Sequence, residues 1–305
     1  MYNEIFGTLL SSLITLSVGM VAGYLGRKMK IMTDAVNAGL SGVLIKIALP
    51  CMIFVSFMQP FSQELLLESL TTLVIFVVVF TGCCGVGLLL ARTFGANEDD
   101  RAIWGFSLAF PNVGYMGIPV IFVVYGATGL IYTTMAVVAF NLVTFSLGVY
   151  LFVRGNINIR SMFISVPLVA SYLGFVFFVT GWRLPGDLEQ GIRLVGDLSV
   201  PLAMMLVGAL LAKSNIRTLF SDFSILPIIA ARLVGIPLAT FFILRLFLTN
   251  DFMLEVIVIL MAMPVAANTA IFAEQYKGNT DLASKVVTLS NILCIISIPL
   301  IALIF

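Results

Sequence analysis

Long apolar stretches alternate with short polar connections along this chain, and that pattern predicts membrane-spanning helices. An α-helix needs about 20 apolar residues to cross a bilayer. Ten stretches come close to that length, at residues 6–26, 34–58, 66–91, 102–124, 128–153, 161–182, 192–212, 224–247, 253–275 and 283–304. The connections between them are too short for a soluble domain. The sequence therefore predicts an all-α integral membrane protein with ten transmembrane helices.

The fourth and ninth predicted spans are each interrupted by proline, small residues and a carboxamide. The fourth contains Pro111, Asn112 and Gly114, and the ninth contains Pro264 and Asn268. A proline inside a helix removes a backbone hydrogen bond and clashes with the preceding turn. Because hydrocarbon cannot satisfy freed peptide groups, a helix broken at this depth has to line a protein cavity or a bound solute. We therefore expect two broken helices that face each other.

Similar residues recur half a chain apart. Three pairs show the offset: Pro111 and Pro264 (153 positions), Pro50 and Pro201 (151 positions), and Asn141 and Asn291 (150 positions). Each half, 1–155 and 156–305, holds five predicted spans, and an odd number inverts the second half relative to the first. One broken helix per inverted half is typical of secondary transporters. We predict two inverted five-helix repeats whose proline-broken helices cross.

The composition excludes several classes of function. Hydrophobic residues make up 61% of the chain and charged residues 10%, with a mean hydropathy of +1.14, whereas soluble domains carry roughly 25% charged residues. The net charge of +1 gives no footprint for nucleic acid. The chain has no histidine, and its four cysteines lie in apolar stretches, where we expect small core residues. No metal cluster, catalytic residue or cofactor motif is present, so we expect no enzyme.

Basic residues are distributed unevenly between alternate connections, which predicts the orientation of the chain. Cytoplasmic loops of membrane proteins are enriched in lysine and arginine. One set of connections carries only Arg183, Arg193 and Arg245. The other carries eleven basic residues: Arg27, Lys28, Lys30, Arg92, Arg101, Arg154, Arg160, Lys213, Arg217, Lys277 and Lys285. We expect a multi-pass protein of the cell (inner or plasma) membrane with both termini outside the cytoplasm.

The broken helices supply a candidate binding site. Each break leaves half-helix ends near the bilayer midplane, and N-terminal ends carry free N–H groups and partial positive charge. Two such ends side by side suit a small carboxylate. Asn112 and Asn268 add amide groups, Pro111 and Pro264 create the breaks, and Gly114 permits close approach of the backbone. The alternative is a pair of packed kinks in which the asparagines only cap freed backbone groups.

Other polar or helix-breaking residues within the spans are weaker candidates for the site. Pro50 either shapes the wall facing the site or is a tolerated kink. Asn141 and Asn291 either line the site or form hydrogen bonds between helices, each worth about 0.6 kcal/mol on average. All three lie within predicted spans.

Three charged residues within the spans, Lys46, Asp197 and Arg232, are considered for a functional role. Lys46 and Asp197 precede Pro50 and Pro201 by four positions each. A charge at this depth is a functional candidate by default, so either residue could attract the substrate anion or take part in coupling, alone or as an ion pair. Arg232 lies near the end of its predicted span, and we expect its side chain to reach the interface.

At these residues the chain resembles the auxin efflux carrier family, which includes plant auxin exporters and bacterial malonate transporters. The similar segments are Pro111-Asn112 with Met116-Gly117-Ile118-Pro119, Lys46-Ile47-Ala48-Leu49-Pro50, Arg232-Leu233-Val234-Gly235-Ile236-Pro237, and Ala262-Met263-Pro264 with Ile271-Phe272-Ala273-Glu274-Gln275-Tyr276. The resemblance runs from about Val21 to Phe305. Asn268 has no counterpart in the family pattern, and the third span lacks a charged pair found in some plant members.

The resemblance implies a scaffold domain of spans 1, 2, 6 and 7 and a transport domain of spans 3–5 and 8–10. It also implies a homodimer, elevator-type alternating access, and a substrate-contacting role for Asn112, with Asn141 at the position of a site glutamine. We therefore expect a secondary transporter of a small organic anion, such as an auxin-like molecule, malonate or another mono- or dicarboxylate. The alternatives are a sodium- or proton-coupled symporter or antiporter of the related bile-acid symporter and sodium/proton antiporter architecture, and a membrane sensor. The coupling ion stays open between sodium and proton.

Overall fold

The computed structural model describes residues 2–153, 166–213, 225–276 and 278–305, and these residues form helices joined by short connections. Within these ranges there is no β-strand, and the only strand-like contact is an isolated antiparallel bridge between Pro111 and Val265. The boundary between the two predicted repeats lies outside the described residues. The same is true of the first residues of the predicted sixth span and of Ser224, the first residue of the predicted eighth span. Four basic residues also lie outside them: Arg154, Arg160, Arg217 and Lys277.

The α-helices are numbered here in chain order. They are α1 Tyr2–Lys28, α2 Asp34–Val43, α3 Leu49–Ser56, α4 Gln63–Thr93, α5 Glu98–Ala109, α6 Ile118–Val143, α7 Val149–Val153, α8 Val166–Thr180, α9 Gly186–Gly196, α10 Ser199–Lys213, α11 Leu226–Ala230, α12 Ile236–Leu244, α13 Asp251–Met261, α14 Asn268–Gln275 and α15 Thr280–Ala302. Among the described residues, four π-helical turns join some of them: Leu44–Ala48, Val113–Gly117, Thr144–Gly148 and Ala231–Gly235.

Six helical stretches in the described part of the chain are long and apolar enough to cross a membrane. They are Asp34–Ser56, Gln63–Thr93, Val113–Phe152, Gly186–Ala209, Leu226–Leu244 and Thr280–Ala302, and Val169–Thr180 is a shorter apolar helix. The stretch Val113–Phe152 contains a break at Gly126, where φ is 64° and ψ is −155°. Such a conformation favours glycine, and it separates the predicted fourth and fifth spans. An all-α membrane protein is therefore confirmed, while ten spans in inverted repeats stay a prediction.

Three of the π turns end two residues before a proline. They are Leu44–Ala48 before Pro50, Val113–Gly117 before Pro119 and Ala231–Gly235 before Pro237. In each case the residue before the proline donates to the carbonyl five residues earlier, as Leu49 N does to Leu44 O. Because a proline ring clashes with the carbonyl four residues before it, we attribute these wider turns to the prolines. Pi turns are frequent at functional sites.

Helix α4 shows how the helices sit between protein and lipid. Leu67, Leu70, Val74 and Val78 are spaced along one face and are all exposed. The opposite side of the helix is buried and contains Phe76, Phe80 and small residues. An apolar face that is exposed on the surface of a membrane protein contacts lipid, and its spacing by three and four follows the helical period.

Packing between helices brings the two interrupted segments into the centre of the fold. Helix α1 packs against α10, and α3 packs against α8 and α9. Helix α4 packs against α5 and α6, and α13 against α6 and α12. Residues 256–263 of α13 and the following turn are fully buried, whereas α1 exposes Ile14, Val18 and Val21. The division into scaffold and transport domains stays a prediction.

Candidate functional site

Both predicted interruptions are present, and they lie side by side. Helix α5 ends at Ala109 and α13 ends at Met261, each shortly before its proline. Asn112 N donates to Pro264 O at 2.8 Å, and Ala266 N donates to Phe110 O at 3.1 Å. These two hydrogen bonds pair residues 110–112 with residues 264–266 in antiparallel orientation. We call residues 110–112 and 263–267 the crossing segments.

The backbone groups freed at the helix ends find partners other than lipid. In a continuous helix, Val265 N would bond within α13, but it donates to Ser290 Oγ of α15 at 3.1 Å. The carbonyls of Leu108, Met261 and Met263 accept hydrogen bonds from Arg232. A buried backbone group without a partner is costly, so this satisfaction allows the helices to stay broken inside the membrane.

Arg232 is fully buried between the ends of the two broken helices. Its Nη1 donates to Leu108 O at 2.8 Å, and its Nη2 donates to Met261 O at 2.8 Å. Met263 O accepts from Nε at 3.2 Å and from Nη2 at 3.1 Å. The expectation that Arg232 reaches the interface is therefore wrong, since its side chain has 0% exposure. The sequence showed that Arg232 lies in an apolar run before Gly235 and Pro237, but it did not show in which direction the side chain points.

Asn112 occupies the start of the helical segment that follows the first crossing segment. Its Oδ1 accepts from Tyr115 N at 3.2 Å, and its backbone O accepts from Gly117 N at 2.9 Å. The side chain is only 6% exposed, and among the described residues nothing accepts a hydrogen bond from Nδ2. Asn112 therefore caps a freed backbone group, as the alternative interpretation of packed kinks proposed, and its Nδ2 group remains available to a ligand.

The two glycines beside Asn112 differ in their surroundings. A Cβ at Gly114 would meet no atom within 4 Å, so this backbone borders open space. A Cβ at Gly117 would lie 2.9 Å from Leu260 Cδ2, so here glycine allows close packing against α13. Gly114 therefore lies at an opening beside Asn112, and Gly117 holds the two broken helices together.

Asn268 begins α14, the helix that follows the second crossing segment. It is partly exposed, and its side chain forms no hydrogen bond within the described part of the protein. The next residue, Thr269, is fully buried, and its Oγ1 has no partner among the described residues. Unpaired polar groups therefore lie at the N-terminal ends of both segments that leave the crossing.

Asn141 and Asn291 form equivalent hydrogen bonds within their own helices. Asn141 Nδ2 donates to Val137 O at 2.8 Å, and Asn291 Nδ2 donates to Val287 O at 2.7 Å. Neither forms an interhelical side-chain hydrogen bond within the described ranges. Asn291 follows Ser290, which bonds the second crossing segment, so it lies next to the crossing. Their roles as site residues stay predictions.

Lys46 and Asp197 form no ion pair with each other in the described part of the chain. Both side chains are exposed, and among the described residues neither forms an ion pair. Lys46 lies in the π turn before Pro50, and Asp197 lies in the turn between α9 and α10. Pro50 itself is partly buried. The hypothesis of a direct ion pair between them is not supported, and a field or coupling role for either stays a prediction.

Sequence reasoning missed three further polar contacts. Ser41 Oγ of α2 and Tyr115 OH lie 2.6 Å apart. Glu68, near the start of α4, accepts hydrogen bonds from Tyr132 OH of α6 and from Asn250 Nδ2, the cap of α13. Glu68 was available in the sequence as an acidic residue within a predicted span. No spacing rule could have indicated its partners, which lie 64 and 182 positions away.

Comparison with known proteins places this geometry in a family. A family model described as "Membrane transport protein" matches residues 8–161 and 150–302. The chain belongs to the membrane transport protein family. This membership confirms the resemblance to auxin efflux carriers that the crossing motifs indicated, and it indicates a membrane transporter rather than an enzyme.

Relatives in this family are similar over almost their whole length. An "Uncharacterized transporter" of Methanothermobacter thermautotrophicus is 28% identical over 302 residues, 96% of each chain. "Uncharacterized transporter YfdV" of Escherichia coli K12 is 22% identical over 309 residues, 95% of this chain and 96% of the relative. A Rhizobium meliloti protein with the provisional name malonate transporter is 22% identical over 294 residues, 90% of this chain and 89% of the relative.

Proposed function

We propose that this protein is a secondary transporter of a small organic anion, which binds where the two crossing segments meet. The observation that carries the proposal is the free Nδ2 of the buried Asn112, at the N-terminal end of the helical segment that follows the first crossing segment. Such ends attract anions through free N–H groups and partial positive charge. Pro111, Pro264 and Gly114 shape this site, and Asn268 adds a second amide group. The provisional name of the Rhizobium meliloti relative supports malonate as one candidate substrate.

The proposed architecture is ten spans in two inverted repeats, with a scaffold domain of spans 1, 2, 6 and 7. The transport domain of spans 3–5 and 8–10 would slide against it as an elevator, in a homodimer of the cell membrane. Paired breaks in α5–α6 and α13–α14 support this proposal, as does the recurrence of residues at offsets of 150 to 153. The uneven distribution of basic residues supports an orientation with both termini outside the cytoplasm.

An ion-coupled symporter or antiporter is the second candidate, and the composition of the crossing disfavours a cation site there. Cation sites at broken helices use carbonyl groups and acidic side chains. Residues 106–118 and 258–272 contain no aspartate or glutamate. Three carbonyls of this region are already engaged by Arg232. The crossing therefore suits an anion, and a coupling ion, if one is used, binds elsewhere.

Uptake into proteoliposomes tests the proposal. Radiolabelled malonate, lactate, oxalate and indole-3-acetate would be supplied with and without sodium and pH gradients. We expect at least one of these anions to accumulate, and Asn112→Ala to weaken its apparent affinity about tenfold or more, because a buried hydrogen bond to a charged group is worth about 1.5–3 kcal/mol. Gln190→Ala removes an exposed amide on α9 and is the matched control.

Two results would contradict the proposal in different ways. Absence of uptake for every anion under every gradient would refute the substrate class. A folded Asn112→Ala variant that transports with wild-type affinity would refute the binding site while leaving the substrate class intact.

A further inference from the structure

Arg232 contacts the same kind of group at both broken helices. Leu108 is the penultimate residue of α5, and Met261 is the last residue of α13, with Met263 two residues beyond it. All four hydrogen bonds of the guanidinium go to the carbonyls of these three residues. A helix C-terminus leaves its last carbonyls without partners. One side chain therefore caps two C-terminal ends that come from opposite halves of the chain.

The charge of Arg232 balances the charge of these two ends. A helix macrodipole places about half a negative unit charge at the C-terminus and about half a positive one at the N-terminus. Two C-terminal ends together present about one negative charge, which the single positive charge of Arg232 offsets. Within the described residues Arg232 forms no ion pair, so no carboxylate among them neutralises its charge.

The N-terminal ends on the other side of the crossing have no such partner. Asn112 caps one of them with a neutral amide oxygen. Asn268 and Thr269 begin the other, and neither is ionisable. Residues 106–118 and 258–272 contain no aspartate or glutamate, so no acidic side chain of these segments offsets the positive charge of about one unit that the two ends present together.

We propose that Arg232 is the positioning residue of the crossing: it fixes both broken helices by their C-terminal ends and cancels their negative charge, so that the site keeps a net positive field. The planar guanidinium has five donors in a rigid fork, which lets one side chain bond three carbonyls at once. Arg232 itself is fully buried, and its hydrogen bonds among the described residues all go to backbone carbonyls, so it acts through the crossing segments rather than by touching the substrate. This inference deepens the proposed anion site, but its electrostatic part can be measured without any substrate.

The local field can be measured with a thiol placed at the crossing. Asn268 is partly exposed, so the Asn268→Cys variant offers a thiol at the start of α14. Cys51 would be replaced by Ser, because it is the partly exposed native cysteine among four that are all free, and the parent without Asn268→Cys gives the background of the buried ones. Two methanethiosulfonate reagents would be compared, the anionic sulfonatoethyl and the cationic trimethylammonium-ethyl derivative. The reaction rate of each reagent with Asn268→Cys would be divided by its rate with Gln190→Cys on the surface of α9.

With Arg232 present, we expect the normalised rate to favour the anionic reagent. Arg232→Gln retains hydrogen-bonding groups but removes the charge. We expect it to lower the ratio of anionic to cationic rates about tenfold or more, because a unit charge about 10–12 Å away at an effective dielectric constant of about 20 changes each rate by about that factor. Arg232→Lys retains the charge and should restore most of the ratio. Arg245→Gln removes an exposed arginine at the end of the same helical stretch and should leave the ratio unchanged.

Two outcomes would overturn the inference. An unchanged ratio in a folded Arg232→Gln variant would show that Arg232 has only a structural role. If Arg232→Gln does not fold, the parent still decides, because a parent ratio that is neutral or favours the cationic reagent contradicts a positive field. Since no transported anion enters this measurement, its failure is distinct from a failure of the uptake experiment.

Discussion

Ser41 Oγ and Tyr115 OH lie 2.6 Å apart and join α2 to the π turn that follows the first crossing segment. In the proposed domain division, α2 belongs to the scaffold and the crossing to the transport domain. A sliding motion would separate these helices, so this hydrogen bond stabilises the arrangement described here relative to others.

We expect Tyr115→Phe and Ser41→Ala each to lower the free energy of unfolding by about 1 kcal/mol, the usual net value of a hydrogen bond. The double variant should have a free energy of unfolding no lower than that of the less stable single variant, because both changes remove the same hydrogen bond. Unfolding in detergent, followed as a double-mutant cycle, measures this coupling. Additive losses in the double variant would show that the two hydroxyls act independently.

Glycine allows α1 and α10 to pack closely. A Cβ at Gly23 would lie 1.9 Å from Met205 O, and a Cβ at Gly208 would lie 1.8 Å from Met20 O. These atoms belong to backbone, so the helices would have to separate. We expect Gly208→Ala to destabilise the protein by about 1–3 kcal/mol, as overpacking does.

Gly39→Ala is the matched control for this substitution. Nothing lies within 4 Å of the added Cβ in α2, and exchange of glycine for alanine within a helix stabilises it by about 0.8–1.0 kcal/mol. In thermal unfolding in detergent, we therefore expect the highest melting temperature for Gly39→Ala, an intermediate one for the parent and the lowest for Gly208→Ala. A Gly208→Ala protein as stable as the parent would mean that the two helices are not packed as described.

The helix breaks could be predicted because their cause is local. Pro111 and Pro264 cannot donate backbone hydrogen bonds, and that property depends on no distant residue. The same holds for Asn112, since an asparagine just before a helical segment is a preferred cap. The pairing of the two segments required only the additional observation that they recur half a chain apart.

The environment of Arg232 could not be predicted in the same way. Its partners lie 124, 29 and 31 positions away at Leu108, Met261 and Met263. Sequence gives the depth of a residue along its helix but not the direction of its side chain. Arginine near the end of an apolar stretch usually extends to the interface, and here backbone carbonyls compete with water for it. Glu68 was missed for the same reason.

Glu68 ties three helices together near the start of α4. Tyr132 OH and Asn250 Nδ2 both donate to its carboxylate. In Glu68→Gln the new amide group has donors of its own, so one of the two donors loses its acceptor. We expect a loss of about 1–3 kcal/mol in the free energy of unfolding, the cost of a buried polar group without a partner.

The control for Glu68 is Glu189→Gln, since Glu189 forms an exposed pair with Arg193 on α9 at 2.9 Å. Exposed pairs four residues apart on a helix contribute about 0.3–0.5 kcal/mol. Unfolding midpoints in detergent should fall clearly for Glu68→Gln and little for Glu189→Gln. Equal effects of the two substitutions would argue against a structural network around Glu68.

Asn112→Asp separates the capping role of this residue from its proposed role in binding. A carboxylate of the same size still accepts from Tyr115 N, so we expect the fold to be retained. It replaces the free Nδ2 donor with a negative charge, which repels an anion and removes a hydrogen bond worth about 1.5–3 kcal/mol. The apparent affinity for the transported anion, measured by uptake into proteoliposomes, should therefore fall at least tenfold.

Asn97→Asp makes the same chemical change at the exposed cap of α5, where Asn97 Oδ1 accepts from Asp100 N at 2.8 Å, and should leave this affinity unchanged. If Asn112→Asp folds and keeps the parent affinity while transporting the same anion, the carboxylate binds somewhere other than the crossing.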